Sequence, residues 1–213
     1  MLYQKILNDF ASIPNIKTRD LDNYNKELIK AKVNVSDLKL YVIEYPLLHR
    51  TYFQVSMLYK ETYREQFEYI EQNLDLLQDW WHVDQLTQFI YRPVDFDYAY
   101  KLALRYTNDQ ATFTRRWGYV LFLVGLQKDE ATLGLIWKLL KDDPEYYVQM
   151  AQAWLICDLA VFNPELTLEY LEKSHLNYNI LGKAIQKIND SFRISDEIKV
   201  RAKALRPILK LNS

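Results

Sequence analysis

Apolar residues recur along the chain at helical spacing, in short blocks that Pro, Asp, Asn or Ser residues interrupt. In the segment 63–77, for example, the apolar positions lie close to the period of about 3.6 residues of an α-helix: Phe67, Ile70, Leu74 and Leu77. Pro in the first turn of a helix, and Asp, Asn or Ser just before that turn, are signals that a helix begins. About twelve helices are predicted: 1–10, 20–29, one capped by Ser36, 47–59 after Pro46, 63–77, one from Asp79 through Ile90, those opened by Pro93, Asn108 or Asp109, Asp129, Pro144 and Pro164, 178–188 and 196–209.

Short helices joined by short polar loops cannot each bury an apolar face alone, so neighbouring pairs are expected to stack. The predicted fold is therefore all-α, an α-α superhelix of HEAT-like repeats forming a single domain over residues 1–213. Markers of tetratricopeptide and ankyrin units are absent from the sequence. A helical bundle is the alternative, but the helices of bundles are usually longer.

The amino-acid composition limits which kinds of binding site and fold the chain can form. Only 4 Gly and 6 Pro are present in 213 residues, which favours helices over an all-β fold and leaves no glycine-rich phosphate loop. The 3 His are far apart in the sequence, and the single Cys157 lies in an apolar segment typical of a buried, inert thiol. We therefore expect no metal, no cofactor and no internal disulfide.

Charge and hydropathy bear on partners. The formal net charge is −1 and the isoelectric point about 6.3, whereas proteins that bind DNA tightly usually carry a basic excess. DNA binding is therefore expected to be weak and to depend on a local patch. No basic start followed by an apolar run, and no apolar segment of membrane-spanning length, is present in the sequence. The expectations are a cytoplasmic location, no membrane contact and a monomer.

The segment 79–84, Asp-Trp-Trp-His-Val-Asp, places a carboxylate next to two indoles. Trp80 lies four positions and Trp81 three positions before Asp84, so the three side chains can share one face of a helix. Taken alone, this pattern is more typical of an aromatic stripe in the core, with Asp84 as a surface residue or a helix cap.

Two further segments stand out. Arg115 and Arg116 follow a predicted helix start, where cations oppose the macrodipole at a cost of about 0.3–1 kcal/mol. A helix N-terminus also attracts phosphate, which arginine grips with a rigid fork. In isolation, a solvated pair bonded to acidic neighbours is the more ordinary interpretation. In the third segment, Ala151-Gln152-Ala153-Trp154, small residues flank an indole, which taken alone indicates core packing.

In their order and spacing, the three segments resemble the AlkD-like DNA glycosylases of the DNA alkylation repair family. That family has a Trp-Trp segment ending in Val-Asp, then a Trp-x-Arg-Arg-type segment, then an Ala-x-x-Trp helix. The corresponding segments here are 80–84, 113–116 and 151–154, and the segment 184–188 (Ala-Ile-Gln-Lys-Ile) is similar to the last repeats of the family. The resemblance covers residues 40–209 and leaves residues 1–39 as remodelled N-terminal helices.

The resemblance implies a HEAT-like fold and hydrolysis of the N-glycosidic bond of N3- or N7-alkylated purines, without metal or cofactor. By the same resemblance, Asp84 matches the catalytic carboxylate and Arg116 the arginine of the cleft. Trp80 and Trp154 match the indoles that line the deoxyribose; Trp80 is preferred to Trp81 because its spacing to Asp84 is four residues. Trp81 and Arg115 are further candidates for substrate contact.

The sequence differs from the family at positions that contact DNA in the relatives, so a reduced DNA grip, meaning weaker binding of DNA, is predicted. The Phe-x-x-x-Gly part of an N-terminal Tyr-x-Lys segment is missing, and neutral or acidic residues flank Trp154 where relatives carry basic ones, namely Gln149, Met150, Cys157 and Asp158. The function predicted is that of a family member with a retained Trp, Asp and Arg cleft, a reduced DNA grip, and weak or absent excision. The alternatives are an active glycosylase for N3- or N7-alkylated purines and a non-catalytic scaffold that binds protein or structured nucleic acid.

Overall fold

The computed structural model describes residues 1–126 and 129–211 of the chain. All regular structure in these ranges is helical, which confirms the all-α fold class. The α-helices of the described ranges are α1 (Leu2–Ala11), α2 (Thr18–Lys30), α3 (Pro46–Leu58), α4 (Tyr63–Glu71), α5 (Trp80–Asp84), α6 (Phe96–Tyr106), α7 (Thr112–Val120), α8 (Glu130–Leu139), α9 (Tyr146–Phe162), α10 (Pro164–Glu172), α11 (Tyr178–Asp190) and α12 (Asp196–Leu211). Short 3-10 turns occupy Ser36–Leu40, Leu74–Leu76, Gln85–Gln88 and Leu121–Leu123.

The chain divides into two compact units, residues 1–92 and 93–213. The first unit contains α1 to α5 and the second contains α6 to α12. A single domain over residues 1–213, with residues 1–39 remodelled and residues 40–209 forming family-like repeats, stays a prediction.

In the first unit, α3 forms the centre. Every residue from position 48 to position 55 is buried, because α1, α2 and 3-10 turns pack around this helix. Polar groups at such positions need internal hydrogen bonds. Accordingly, Gln54 accepts a hydrogen bond from Asn25 of α2 at 2.7 Å. The polar side chains of α3 therefore connect it to its neighbours.

In the second unit, α9 packs between α7 and α11, and α10 folds back on α9 directly after it. The starts of the three central helices are neighbours: the Phe113 ring lies 5.7 Å from that of Tyr147, and Lys183 donates to Gln149 at 3.2 Å. Buried, mostly apolar residues lie on most faces of α9, as expected for a helix covered on most sides. Stacked helix pairs of this kind are consistent with HEAT-like repeats.

Helix start signals were predicted with mixed success. Asp79, Asp129 and Pro164 stand at the starts of α5, α8 and α10, as predicted. Pro93 and Pro144 do not open helices, because α6 begins after the capping carboxylate of Asp95 and α9 begins after Glu145. The helix predicted at Ser36 is a 3-10 turn, and the prediction over 63–77 ends at Glu71, with a 3-10 turn following.

The longest helix of the described ranges, α9, has 17 residues. Within those ranges, no helix has both the length and the apolar character needed to cross a membrane.

Candidate functional site

The helix that carries the first candidate segment, α5, is short and firmly capped. Asp79 accepts a hydrogen bond from the backbone N–H of Trp80 at 2.6 Å. The inner face of the helix buries His82 and Val83, so the residues at 80 and 84 are turned away from the core. Trp80 is 46% exposed, which excludes the interpretation of this indole as a core residue.

A cavity of about 430 Å³ opens beside α5 within the first unit. Trp80, Trp81 and Asp84 line it together, as their helical spacing predicts. The start of α2, residues of α3, and Gln85 and Gln88 of the 3-10 turn after Asp84 form the remaining walls. The volume falls in the range of roughly 300–1,000 Å³ typical of small-ligand pockets.

Asp84 is half-buried at the end of α5. Its side chain does not cap the 3-10 turn that follows, and its backbone carbonyl accepts a hydrogen bond from the Thr87 hydroxyl at 2.9 Å. The interpretation of Asp84 as a helix cap is therefore wrong, and its carboxylate is part of a cavity wall that also contains two indoles.

Arg50 is a residue of this cavity that sequence reasoning missed. It is only 5% exposed, and its guanidinium donates to Asp22 of α2 at 2.8 Å from Nε. The same group donates to Gln85 at 3.3 Å and to Gln88 at 3.0 Å. The one available signal was a charged residue between the apolar positions of α3, and that signal does not identify partners.

Two stacked histidine rings lie against the indole of Trp81. The ring centroids of His49 and His82 are 3.7 Å apart with an interplanar angle of 6°, and His49 meets Trp81 edge-on. Burial lowers the pKa of His49 to about 3, and burial also lowers the pKa of His82. Both rings are therefore neutral at pH 7, which allows His49 to bond to the carbonyl of Leu76 and to the amide of Gln85.

These histidines predict a loss of stability in mild acid. The unfolded chain takes up a proton at each histidine near pH 6.5, whereas folded His49 resists protonation down to pH about 3. Stability is therefore full above pH 6.5 and falls as the pH drops from 6.5 toward 3. For His49 alone we expect a loss of about 2 kcal/mol between pH 7.5 and pH 5.0.

Chemical denaturation at a series of pH values measures this loss. His49→Gln should flatten the pH dependence, whereas the matched control His175→Gln, which changes an exposed histidine, should preserve it. Equal pH dependence in wild type and His49→Gln would contradict the prediction.

Arg115, in the second unit, is held by the chain itself. Its Nε and Nη2 donate to the two carboxylate oxygens of Asp143 at 2.7 Å and 3.2 Å, and Nη1 donates to the carbonyls of Asp109 and Gln110. The hydrogen bonds that Arg115 donates to Asp143 raise the pKa of Arg115. This arrangement ties the loop before α7 to the loop before α9. Substrate contact by Arg115 stays a prediction.

Arg116 is buried in α7, and its Nη1 donates to the carbonyl of Tyr147 in the first turn of α9. Trp154 is half-buried on α9 and lines a cavity of about 350 Å³ in the second unit, with Asp158, Lys187 and Arg193 among its other walls. The neighbouring Ala151 and Ala153 are fully buried, so the expected core packing applies to them and not to the indole.

The first unit therefore brings Trp80, Trp81 and Asp84 to one cavity, while Arg115, Arg116 and Trp154 belong to the second unit. The roles of these residues in a common site stay predictions. In the described ranges, no group of three or more His, Cys, Asp or Glu side chains is placed to hold a metal ion.

The fold and these residues define an all-α protein of stacked helix pairs whose first unit has a cavity with indole and carboxylate walls. A family model described as DNA alkylation repair enzyme matches residues 5–188, so the chain belongs to the DNA alkylation repair enzyme family. The match confirms the family resemblance and contains every candidate residue from Trp80 to Trp154. Searches of curated proteins and of solved structures found no match.

Proposed function

We propose that this protein is a DNA alkylation repair family member that retains a pocket for an alkylated nucleoside but grips DNA weakly, so that base excision is slow or absent. The observation that carries the proposal is the pairing of an exposed indole and a non-capping carboxylate in one cavity, at Trp80 and Asp84. Family membership makes an alkylated base in DNA the substrate class to test.

The chemistry expected of the pocket is electrostatic. An N3- or N7-alkylated purine is a cation and leaves as a neutral base when its bond to C1′ of the deoxyribose breaks. The sugar then carries oxocarbenium character until water adds to C1′ and releases a proton. Asp84 would stabilise this charge and orient the water, and the faces of Trp80 and Trp81 would favour the same cation. Arg116 and Trp154 are kept as proposed cleft residues.

A weak grip is supported by the helix starts of the second unit. These starts could bind phosphate through free backbone N–H groups, but at α7 and α9 a carboxylate of the chain already accepts from the backbone N–H of the N-cap residue. Asp109 accepts from the N–H of Ala111 at 2.8 Å, and Asp143 accepts from that of Glu145 at 2.9 Å. A phosphate approaching these helix starts would therefore have to compete with carboxylates that already occupy N–H groups there.

The residues around Trp154 support the same conclusion. Gln149 donates to the carbonyl of Asp143, and Asp158 pairs with Arg193 at 3.3 Å. These side chains therefore make contacts within the protein. Arg115 is likewise neutralised by Asp143. Each phosphate contact that is lost lowers affinity and also lowers its salt dependence.

Fluorescence anisotropy with a labelled plain duplex tests the grip. We expect a Kd well above the range of roughly 10⁻⁴–10⁻⁶ M that is typical of non-specific DNA binding at physiological salt, which means weaker binding. The dependence of the Kd on salt concentration should be shallow. Tight binding with a steep salt dependence would contradict the reduced grip and favour the active glycosylase. Failure to bind either duplex or a cationic methylated nucleoside would favour the non-catalytic scaffold.

A further inference from the structure

Arg50 joins three elements around the cavity that contains Asp84. It belongs to α3, Asp22 belongs to α2, and Gln85 and Gln88 belong to the 3-10 turn that begins directly after Asp84. The shortest contact, from Nη2 to Asp22, is 2.7 Å, and the guanidinium also lies 5.0 Å from the centre of the Phe89 ring. One side chain therefore fixes both ends of the turn against two helices.

Gln85 is held at both ends of its amide. Its oxygen accepts from Arg50, and its nitrogen lies 2.8 Å from Nδ1 of His49. His49 is fully buried and Gln85 is 5% exposed, so neither group can exchange these partners for water. Because Asp84 is covalently joined to Gln85, this network also fixes the backbone of Asp84.

Stability alone does not explain such a network. Replacing a buried ion pair by apolar residues of similar volume is often neutral or stabilising, whereas a planar arginine fork specifies direction. We propose that Arg50 is a positioning residue for Asp84: it holds the turn Gln85–Gln88 so that the carboxylate of Asp84 stays in the cavity wall beside the two indoles. The expectation that the positioned carboxylate binds a cationic ligand rests on the proposed function.

The charge of Arg50 does not oppose this role. Asp22 balances the guanidinium directly, so Arg50 can hold the turn while its own charge is met by a carboxylate of α2. Lysine in its place would keep the charge but would lose the fork that reaches Asp22, Gln85 and Gln88 together.

Hydrogen exchange of the 213-residue chain tests the positioning without any ligand. In Arg50→Lys we expect backbone amides of residues 84–89 to exchange at least tenfold faster than in wild type, with α4 unchanged. Gln88→Ala, a milder variant at an exposed residue, should accelerate the same segment to a smaller degree, and it serves if Arg50→Lys does not fold. Arg64→Lys, at an exposed arginine of α4, is the control and should leave residues 84–89 unchanged. Unchanged exchange in the folded Arg50 and Gln88 variants would overturn the proposal.

A double-mutant cycle shows whether Arg50 acts through Asp84. The probe is 7-methylguanosine, a cationic nucleoside, and the signal is quenching of indole fluorescence. With Asp84 intact, Arg50→Lys should weaken binding of the probe at least fivefold, and Gln88→Ala, used in its place if needed, should weaken it less. In an Asp84→Asn background, either substitution should have little further effect on probe binding. Equal weakening in both backgrounds would mean a general structural effect and would overturn the proposal. Absence of probe binding by the wild type would contradict the proposed function, while the exchange measurement would still decide the role of Arg50.

Discussion

Asp84→Asn is expected to lower any residual release of alkylated purine at least tenfold while leaving the melting temperature nearly unchanged. Asparagine keeps the shape of the side chain and removes the charge that would act on the developing sugar cation. Functional carboxylates often cost stability, so a slight gain in stability would also agree. Base release from methylated DNA and a thermal melt measure the two effects, and quenching by 7-methylguanosine gives a second readout of the lost charge.

The same short helix offers a matched control. Asp79 caps α5 through its 2.6 Å contact with the N–H of Trp80, whereas Asp84 makes no capping contact with the turn after it. Asp79→Ala should therefore cost about 1 kcal/mol of stability and change the affinity for the probe much less than Asp84→Asn does. A large drop in melting temperature for Asp84→Asn with unchanged release would mean that Asp84 is a structural residue.

Asp143→Ala is expected to destabilise the protein by about 2–3 kcal/mol, because it removes the charged partner of a partly buried arginine, although Arg115 keeps its two carbonyl acceptors. Asp143 is 7% exposed and accepts from both Nε and Nη2 of Arg115 as well as from the N–H of Glu145. Removing the carboxylate also frees the loops that precede α7 and α9. Chemical denaturation at pH 7 measures the loss.

The neighbouring Asp142 provides the comparison. It is exposed and accepts one hydrogen bond, from the N–H of Asn177 at 2.7 Å, so Asp142→Ala should cost about 1 kcal/mol. Similar losses in the two variants would contradict the role of Asp143 as the partner of a partly buried arginine.

Local signals in the sequence were sufficient for most of the helices and for the clustering of Trp80 and Asp84 at one cavity. Carboxylates such as Asp79 and Asp129 start helices by contacts within a few residues, which a sequence pattern can contain. The shared cavity of Trp80 and Asp84 follows from their four-residue helical spacing. The proline signals at Pro93 and Pro144 misled because nearby residues determine where α6 and α9 begin.

Long-range partners could not be predicted in this way. Arg50 meets Gln85 across 35 residues, and Arg115 meets Asp143 across 28 residues. An arginine in a helix gives no indication of which carboxylate or amide the fold will bring to it. For the same reason, Arg115 could be proposed from the sequence as a phosphate contact, although its guanidinium is engaged by Asp143 and two backbone carbonyls.

Release of methylated purines from methylated duplex DNA by the purified protein is the most direct measurement of whether this family member excises bases. The expected result is release at or only slightly above the rate of spontaneous depurination, with any excess abolished in Asp84→Asn. The contradicting result is rapid release that saturates at low enzyme concentration and depends on Asp84, together with tight, salt-sensitive binding of the duplex. That result would rule out weak DNA binding and identify an active glycosylase.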